Sequence, residues 1–336
     1  MSTSFKIAVD KPSDLIDAAQ EPDEWIVEGL IEAGDQVMIA GNPKAGKSLI
    51  ASQLSIAVAS GGKFLSWNIP QPRRVLYVNL ELRRKRFGKR LIAQIGGVDS
   101  LERCSNLHTV NELRTIDIRN RNCIDEFAAL VKSLQIELIV WDVLARMHNA
   151  EENDNPEMRK VMHAIRVASA DRAHVVLHHA RKPANGQENV NMGAAGMRGA
   201  SSIHGEADLI MSLHVRSGQG ARYSLKFSAR NIEEPDEMLL DRDPTTLLFY
   251  QADEAEANRL QSVIRNVFDV DTSCKPKELT DAVMNAFEVK ERRAKQLIQS
   301  AMQQGWISPI TLNGRRQGYQ LLEPDDLLCQ AQVTAG

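Results

Sequence analysis

The sequence predicts an α/β protein: a mostly parallel sheet with an antiparallel extension, followed by a small C-terminal domain with the element order of a winged helix. Three observations carry this. From residue 36 to about 252, short apolar runs ("QVMIAG", "RVLYVNL", "ELIVWD", "HVVLHH") alternate with helix-like stretches, the pattern of βαβ units whose sheet is buried on both faces. The runs "ADLIMSLHV", "RYSLKFSAR" and "TTLLFYQA" then follow with no helix between them, which predicts antiparallel strands added to the same sheet. Beyond "QADEAEANRL", the amphipathic stretches "PKELTDAVMNAF" and "ERRAKQLIQSAMQQGW" precede "ISPITLNGRRQGYQLL", a hairpin turning at Asn313-Gly314.

In chain order these readings give an acid-bearing N-terminal segment over 1–24, an α/β domain over 25–252, a winged helix-turn-helix domain over 256–325 and a frayed tail over 326–336. Helices are predicted over 47–60, 123–134 and 156–170. With 336 residues, 43% of them hydrophobic, the chain is long enough for one large core and one small one. A formal net charge of −3 excludes a uniformly basic nucleic-acid coat, so any DNA contact must come from local patches. Four scattered cysteines with no CxxC pair read as reduced thiols. No apolar run approaches the roughly 20 residues of a membrane span and no secretory leader is visible. The expectation is a soluble, cytoplasmic protein without membrane contact.

"GNPKAGKS" fits G-x-x-x-x-G-K-[ST], with Gly41, Asn42, Pro43, Lys44, Ala45, Gly46, Lys47 and Ser48 between a strand and a helix. Glycines let successive amides turn toward phosphate, and the helix beginning at Lys47 aims its positive end at the same point. Lys47 is expected to reach the β/γ-phosphates of ATP, and Ser48 to offer its hydroxyl to Mg²⁺. Other strand ends supply further groups. Asp142 closes "ELIVWD", where a carboxylate holds the magnesium's water shell; the plainer alternative is a loop-capping aspartate. Glu81 follows "VLYVNL", where it would orient and deprotonate water, or lie on the surface. His178 and His179 end "VVLHH" on opposite faces, so one of them at most senses the γ-phosphate.

Together these motifs resemble the RecA-like P-loop ATPases, and most closely the RepA-type hexameric replicative helicases of plasmids, phages and prophages. The resemblance runs from "EWIVEGLIEAGDQVMIAGNPKAGKSLIASQLSIAVASG" through "VLYVNLEL", "LIVWDVLARMH" and "VVLHHARK" to "MRGASSIHGEADL", about residues 25 to 230. It implies a RecA-like core, a homo-oligomeric ring with ATP sites between neighbours, and single-stranded DNA in a central channel. Carried over by position, Lys47 and Ser48 bind nucleotide and metal, Glu81 is the catalytic carboxylate, Asp142 the second magnesium residue and His179 the sensor. Arg198 falls in a piece resembling the family's arginine-finger segment; Arg230 and Arg90 compete for that role.

The glycine-rich segment after His179 reads as a loop, in which Arg181 and Lys182 would meet DNA phosphates. "ELRRKRFGKRL" is either a solvated helix face or a phosphate-reaching patch. From residue 275 to 320, eight cations oppose four acids. Arg292, Arg293 and Lys295 would open a recognition helix facing duplex DNA, and Arg315 and Arg316 the tip of a wing; protein docking is the other use of such a domain. Aromatics make up only 5% of the chain, so base stacking is poorly supported. The leading expectation is a DNA-dependent ring helicase, against an ATP-switched DNA-binding regulator or filament; a small-molecule kinase lacks a recognisable acceptor pocket or lid.

Overall fold

The computed structural model describes residues 9–113, 115–152, 154–179, 205–216, 222–268, 273–303, 305–312 and 316–321. The chain divides into two units, Met1–Tyr250 and Gln251–Gly336. In the first, helix α1 (Pro12–Ala18) and the strands β1 (Trp25–Val27) and β2 (Ile31–Glu32) precede β3 (Gln36–Gly41) and α2 (Lys47–Ser60). Then come the small pair β4 (Lys63–Phe64) and β5 (Trp67–Asn68), followed by β6 (Val75–Asn79), α3 (Arg84–Ile95), β7 (Leu107–Val110), α4 (Arg121–Ser133), β8 (Leu138–Asp142), α5 (Asn155–Ala168) and β9 (Ala173–His179). The strands β10 (Leu209–Val215), β11 (Tyr223–Ala229), β12 (Met238–Arg242) and β13 (Phe249–Gln251) complete the sheet.

Among the described residues, nine strands lie in the order β13-β12-β11-β10-β3-β9-β8-β6-β7. From β10 to β7 every pairing is parallel, whereas β11 pairs antiparallel with both β10 and β12. Period-two alternation divides the core between the two faces. Val37, Ile39, Tyr77, Val140, Val175 and Leu177 pack on the face that carries α2. Met38, Leu76, Val78, Ile139, Trp141 and Val176 pack on the other, against Phe127 and Val131 of α4 and Met158, Val161 and Ile165 of α5. Trp141 serves this packing: its ring meets Phe127 edge-on at 4.8 Å and its indole N–H donates to Ser169 Oγ at 3.1 Å. The sheet therefore delivers the C-terminal ends of β3, β9, β8 and β6 to one edge, which is where ligands of open parallel sheets bind.

Two strands of this sheet, β7 and β12, escape the sequence reading. β7 is too short and polar, "LHTV", to stand out, and β12 is interrupted by the exposed Leu239. "TTLLFYQA" begins as a turn, because Asp243 Oδ1 accepts the amides of Thr245 (2.8 Å) and Thr246 (2.6 Å); the strand starts only at Phe249.

In the second unit, α6 (Ala252–Phe268) occupies the stretch that reads in sequence only as a boundary. It is followed by β14 (Ser273–Cys274), α7 (Pro276–Phe287), α8 (Glu291–Gln303), β15 (Ile307–Leu312) and β16 (Arg316–Leu321). Proline at the first position of α7, with Glu278 accepting the Lys275 amide at 3.2 Å, fixes that helix start. The strands form a three-stranded antiparallel sheet, β14-β16-β15. A separate core of Leu260, Ile264, Leu279, Val283, Leu297, Ile298 and Ile307 holds the unit together. Among the described residues, no helix is long and apolar enough to cross a membrane.

Candidate functional site

β3 ends at Gly41, whose φ is 155°; a Cβ there would stand 2.4 Å from the Leu213 carbonyl oxygen of β10. Only glycine allows that approach. Four residues on, Gly46 turns into α2 with φ 103°, and its missing Cβ would fall 2.8 Å from the Phe249 ring. Among the described residues, the amides of Gly46, Lys47 and Ser48 have no protein acceptor. They stand at the N-terminus of a 14-residue helix, so unpaired donors and helix dipole address the same point. This donor set fits the phosphates of ATP.

Lys47 is buried, and its ammonium donates to the carbonyls of Gly41 (2.8 Å) and Asn42 (3.1 Å) and meets His179 Nδ1 at 3.0 Å. An ammonium only donates, so Nδ1 accepts and His179 carries its proton on Nε2. Burial lowers the Lys47 pKa to about 8, against the opposing pull of Asp142 and Glu81. The pKa of His179 is lowered by its own burial and then by the Lys47 charge. The meeting is set by register, since Gly41 pairs with His179 and Ala40 with the buried His178.

Asp142, two strands from β3, receives Ser48 Oγ at 3.1 Å on one carboxylate oxygen and the Tyr77 hydroxyl at 2.7 Å on the other. Burial raises its pKa to about 6, although both bonds favour the carboxylate. Ser48 Oγ and Asp142 Oδ1 are the oxygen donors that would hold Mg²⁺, a hard cation that takes oxygen ligands and retains several waters.

Glu81 is exposed beside this cluster and acts electrostatically on Lys47, Asp142 and His179. Its turn is clasped from within: buried Asn79 accepts the Leu82 amide (2.9 Å) and donates to the Leu82 carbonyl (2.8 Å) and to Asn111 Oδ1 (2.8 Å). The Leu80 amide donates to the Asp142 carbonyl at 2.7 Å. The β6 and β8 strand ends are thus locked together where Glu81 projects. Tyr77 and Asn79 are the residues that sequence reasoning missed. Their signal is polarity at strand positions flanked by apolar residues, "VLYVNL", because a buried polar group needs a partner.

The structure brings Lys47, Ser48, Asp142 and His179 together, with Glu81 alongside. Arg90, half-buried on α3, stabilises ionised Asp142 from within the same chain. Arg230 lies past the end of β11, at the start of β10 and so at the opposite edge of the sheet, where its guanidinium donates to the Gly205 carbonyl. Arg292, Arg293 and Lys295 are exposed at the start of α8, and Lys295 pairs with Glu291 at 2.7 Å. Arg316 opens β16. Arg181, Lys182, Arg198 and Arg315 lie outside the described residues.

Residues 5–185, more than half of the chain, match the AAA_25 family model, described as an AAA domain. The chain belongs to the AAA_25 family. Among solved structures, the AAA_25 protein is similar to a DnaB-like replicative helicase whose structure is described with its interactions with primase. Here identity is 14%, the TM-score 0.54, and coverage 74% of this chain and 68% of that one. It is also similar to a structure described as an ATPase domain, with 13% identity, a TM-score of 0.50, and coverage of 65% of this chain and 84% of that one. At such identities the likeness is one of fold, a RecA-like α/β core with a large, mostly parallel sheet. No match to a curated protein was found.

Tyr77 gives the first testable consequence. Tyr77→Phe removes one of the two bonds that orient Asp142 while leaving the packing of the ring against Phe87 (4.9 Å) in place. Loss of such an orienting partner typically costs about 10-fold or more in metal affinity. The Mg²⁺ concentration giving half-maximal binding of an ATP analogue, followed by calorimetry, should rise by about that factor; an unchanged Mg²⁺ requirement would remove Tyr77 from the site.

Proposed function

We propose that this AAA_25 protein is a Mg²⁺-dependent ATPase working as a ring-forming DNA motor, a cytoplasmic helicase of the RepA/DnaB-like type used in DNA replication. The observation that carries the reading is the meeting of Lys47, Ser48, Asp142 and His179 at one sheet edge, with Glu81 exposed beside them. Lys47 and the amides of Gly46, Lys47 and Ser48 would bind and orient the triphosphate. Ser48 and Asp142 would hold Mg²⁺, which neutralises phosphate charge when bound. Glu81 would take the proton of the attacking water.

His179 supplies the link to movement. Its Nδ1 accepts from Lys47, and a Lys47 recruited to the γ-phosphate would give up that bond. Hydrolysis would restore it, so His179, the last residue of β9, would have two bonding states. Arg181 and Lys182, in that following segment, would contact single-stranded DNA in a hexamer's channel. Arg198 from a neighbouring subunit is the first choice for a trans finger, with Arg230 as the alternative. Arg90, half-buried beside Asp142, fits better as a residue acting within its own subunit.

The second unit favours a second reading. Its element order, helix–helix–hairpin behind α6, with Arg292, Arg293 and Lys295 exposed on α8, supports a winged helix meeting duplex DNA with Arg315 and Arg316 at the wing. An ATP-switched regulator or recombination-type filament would use it without unwinding. A strand-displacement assay on a forked duplex separates the two. ATP-dependent release of the labelled strand is expected; duplex-stimulated ATP turnover without release would overturn the motor in favour of the regulator.

A further inference from the structure

A cleft of about 930 Å³ is lined on one side by Glu81 and, among the described residues, by none of the phosphate-loop side chains. Three strand-end segments form it: the turn from Leu80 into α3 after β6, Glu112 and Leu113 after β7, and Arg146 in the short turn Leu144–Arg146 after β8. Among the described residues, five cations line it, Arg83, Arg84, Lys85, Arg86 and Arg146, and all are exposed. Among the described residues one ion pair answers them: Glu112 lies 4.0 Å from Arg84, exposed on both sides. Arg83, Lys85, Arg86 and Arg146 have no ion-pair partner there.

This arrangement works against local stability. Four cations crowd the N-terminal turn of α3, which contains no acid, although the helix dipole favours negative charge at that end. Arg146, from a separate segment, adds like charge to the same space. Repulsion of this kind is relieved when a polyanion enters. The volume is far larger than one phosphate, and among the described residues no aromatic side chain lines it, so the recognition it offers is of a charged backbone and not of bases.

We propose that this cleft is a binding site for the sugar-phosphate backbone of single-stranded nucleic acid, and that its occupancy is relayed to Glu81. The proposal rests on the DNA-acting reading above for its choice of ligand. The relay is built into the clasp. Glu112 adjoins Asn111, which accepts from Asn79, and Asn79 holds both the amide and the carbonyl of Leu82 next to Glu81. A phosphate at Arg84 competes with Glu112 for the guanidinium and so places its charge against the segment to which Asn79 is tied. The site adds to the channel contacts expected of Arg181 and Lys182, and it makes hydrolysis respond to nucleic acid from within one subunit.

The test is fluorescence anisotropy of labelled oligo-dT with the full chain over a series of salt concentrations. The R83A/R86A/R146A variant should bind about 10-fold more weakly or worse at low salt, and its salt slope should be flatter by about 2, given about −0.7 per neutralised phosphate. The triple lysine variant should restore most of the affinity. A control losing three cations elsewhere, R121A/K132A/K160A, should bind as wild type does. Retained binding of a fluorescent ATP analogue shows that each variant is folded. Wild-type affinity and slope in R83A/R86A/R146A would overturn the cleft site and leave the DNA-acting reading standing. A wild-type protein that hydrolyses ATP but binds no oligo-dT would overturn both. Poly-glutamate displacing the oligonucleotide at a lower charge concentration than competing oligo-dT would overturn the choice of ligand.

Discussion

Glu81→Gln is expected to bind ATP with close to wild-type affinity and to hydrolyse it about 10²–10⁴-fold more slowly, the usual contribution of a positioned general base. The geometry separates the two effects. Glu81 bonds to none of the loop residues, and its turn is held by Asn79 and by the Leu80 amide through backbone contacts that the substitution leaves untouched. The amide keeps the shape of the carboxylate but accepts no proton from water. Its lost charge also removes one of the influences raising the pKa of Lys47, a smaller effect. Single-turnover hydrolysis, with analogue binding measured in parallel, checks the prediction; wild-type turnover would remove Glu81 from the chemistry.

Lys47→Ala is expected to abolish measurable hydrolysis and to weaken nucleotide binding by about 100-fold or more. Two charge-assisted bonds to phosphate, each worth about 1.5–3 kcal/mol, account for a loss of that size. The protein should stay folded, because among the described residues the ammonium bonds only to loop carbonyls and His179, while α2 is anchored elsewhere by Leu49, Ile50, Leu54 and Val58 in the core. Nucleotide affinity within a few-fold of wild type would mean that phosphate is held somewhere other than this loop.

The phosphate loop and its strand-end partners are legible in the sequence because both are written locally. "GNPKAGKS" is contiguous, and each apolar run ends on the polar residue that the sheet edge presents. What stays hidden depends on contacts between distant segments. Tyr77 and Asn79 acquire meaning only when β6 lies beside β8, with Asn79 paired to Asp142 across the strands. Likewise "ELRRKRFGKRL" does not reveal in sequence that Arg146, some sixty residues later, faces the same cleft. The helix α6 is obscured by its acidic, alanine-rich start "ADEAEA", which mimics a linker in composition while having good helix propensity.

In the proposed motor, ATP hydrolysis at Lys47, Ser48, Asp142 and Glu81 is coupled to DNA. That coupling is tested most directly by the steady-state ATPase rate with and without single-stranded DNA, on material whose mass in solution has been measured by light scattering. The expected result is a ring-sized homo-oligomer whose turnover rises severalfold with DNA. A monomer whose turnover DNA leaves unchanged would contradict it.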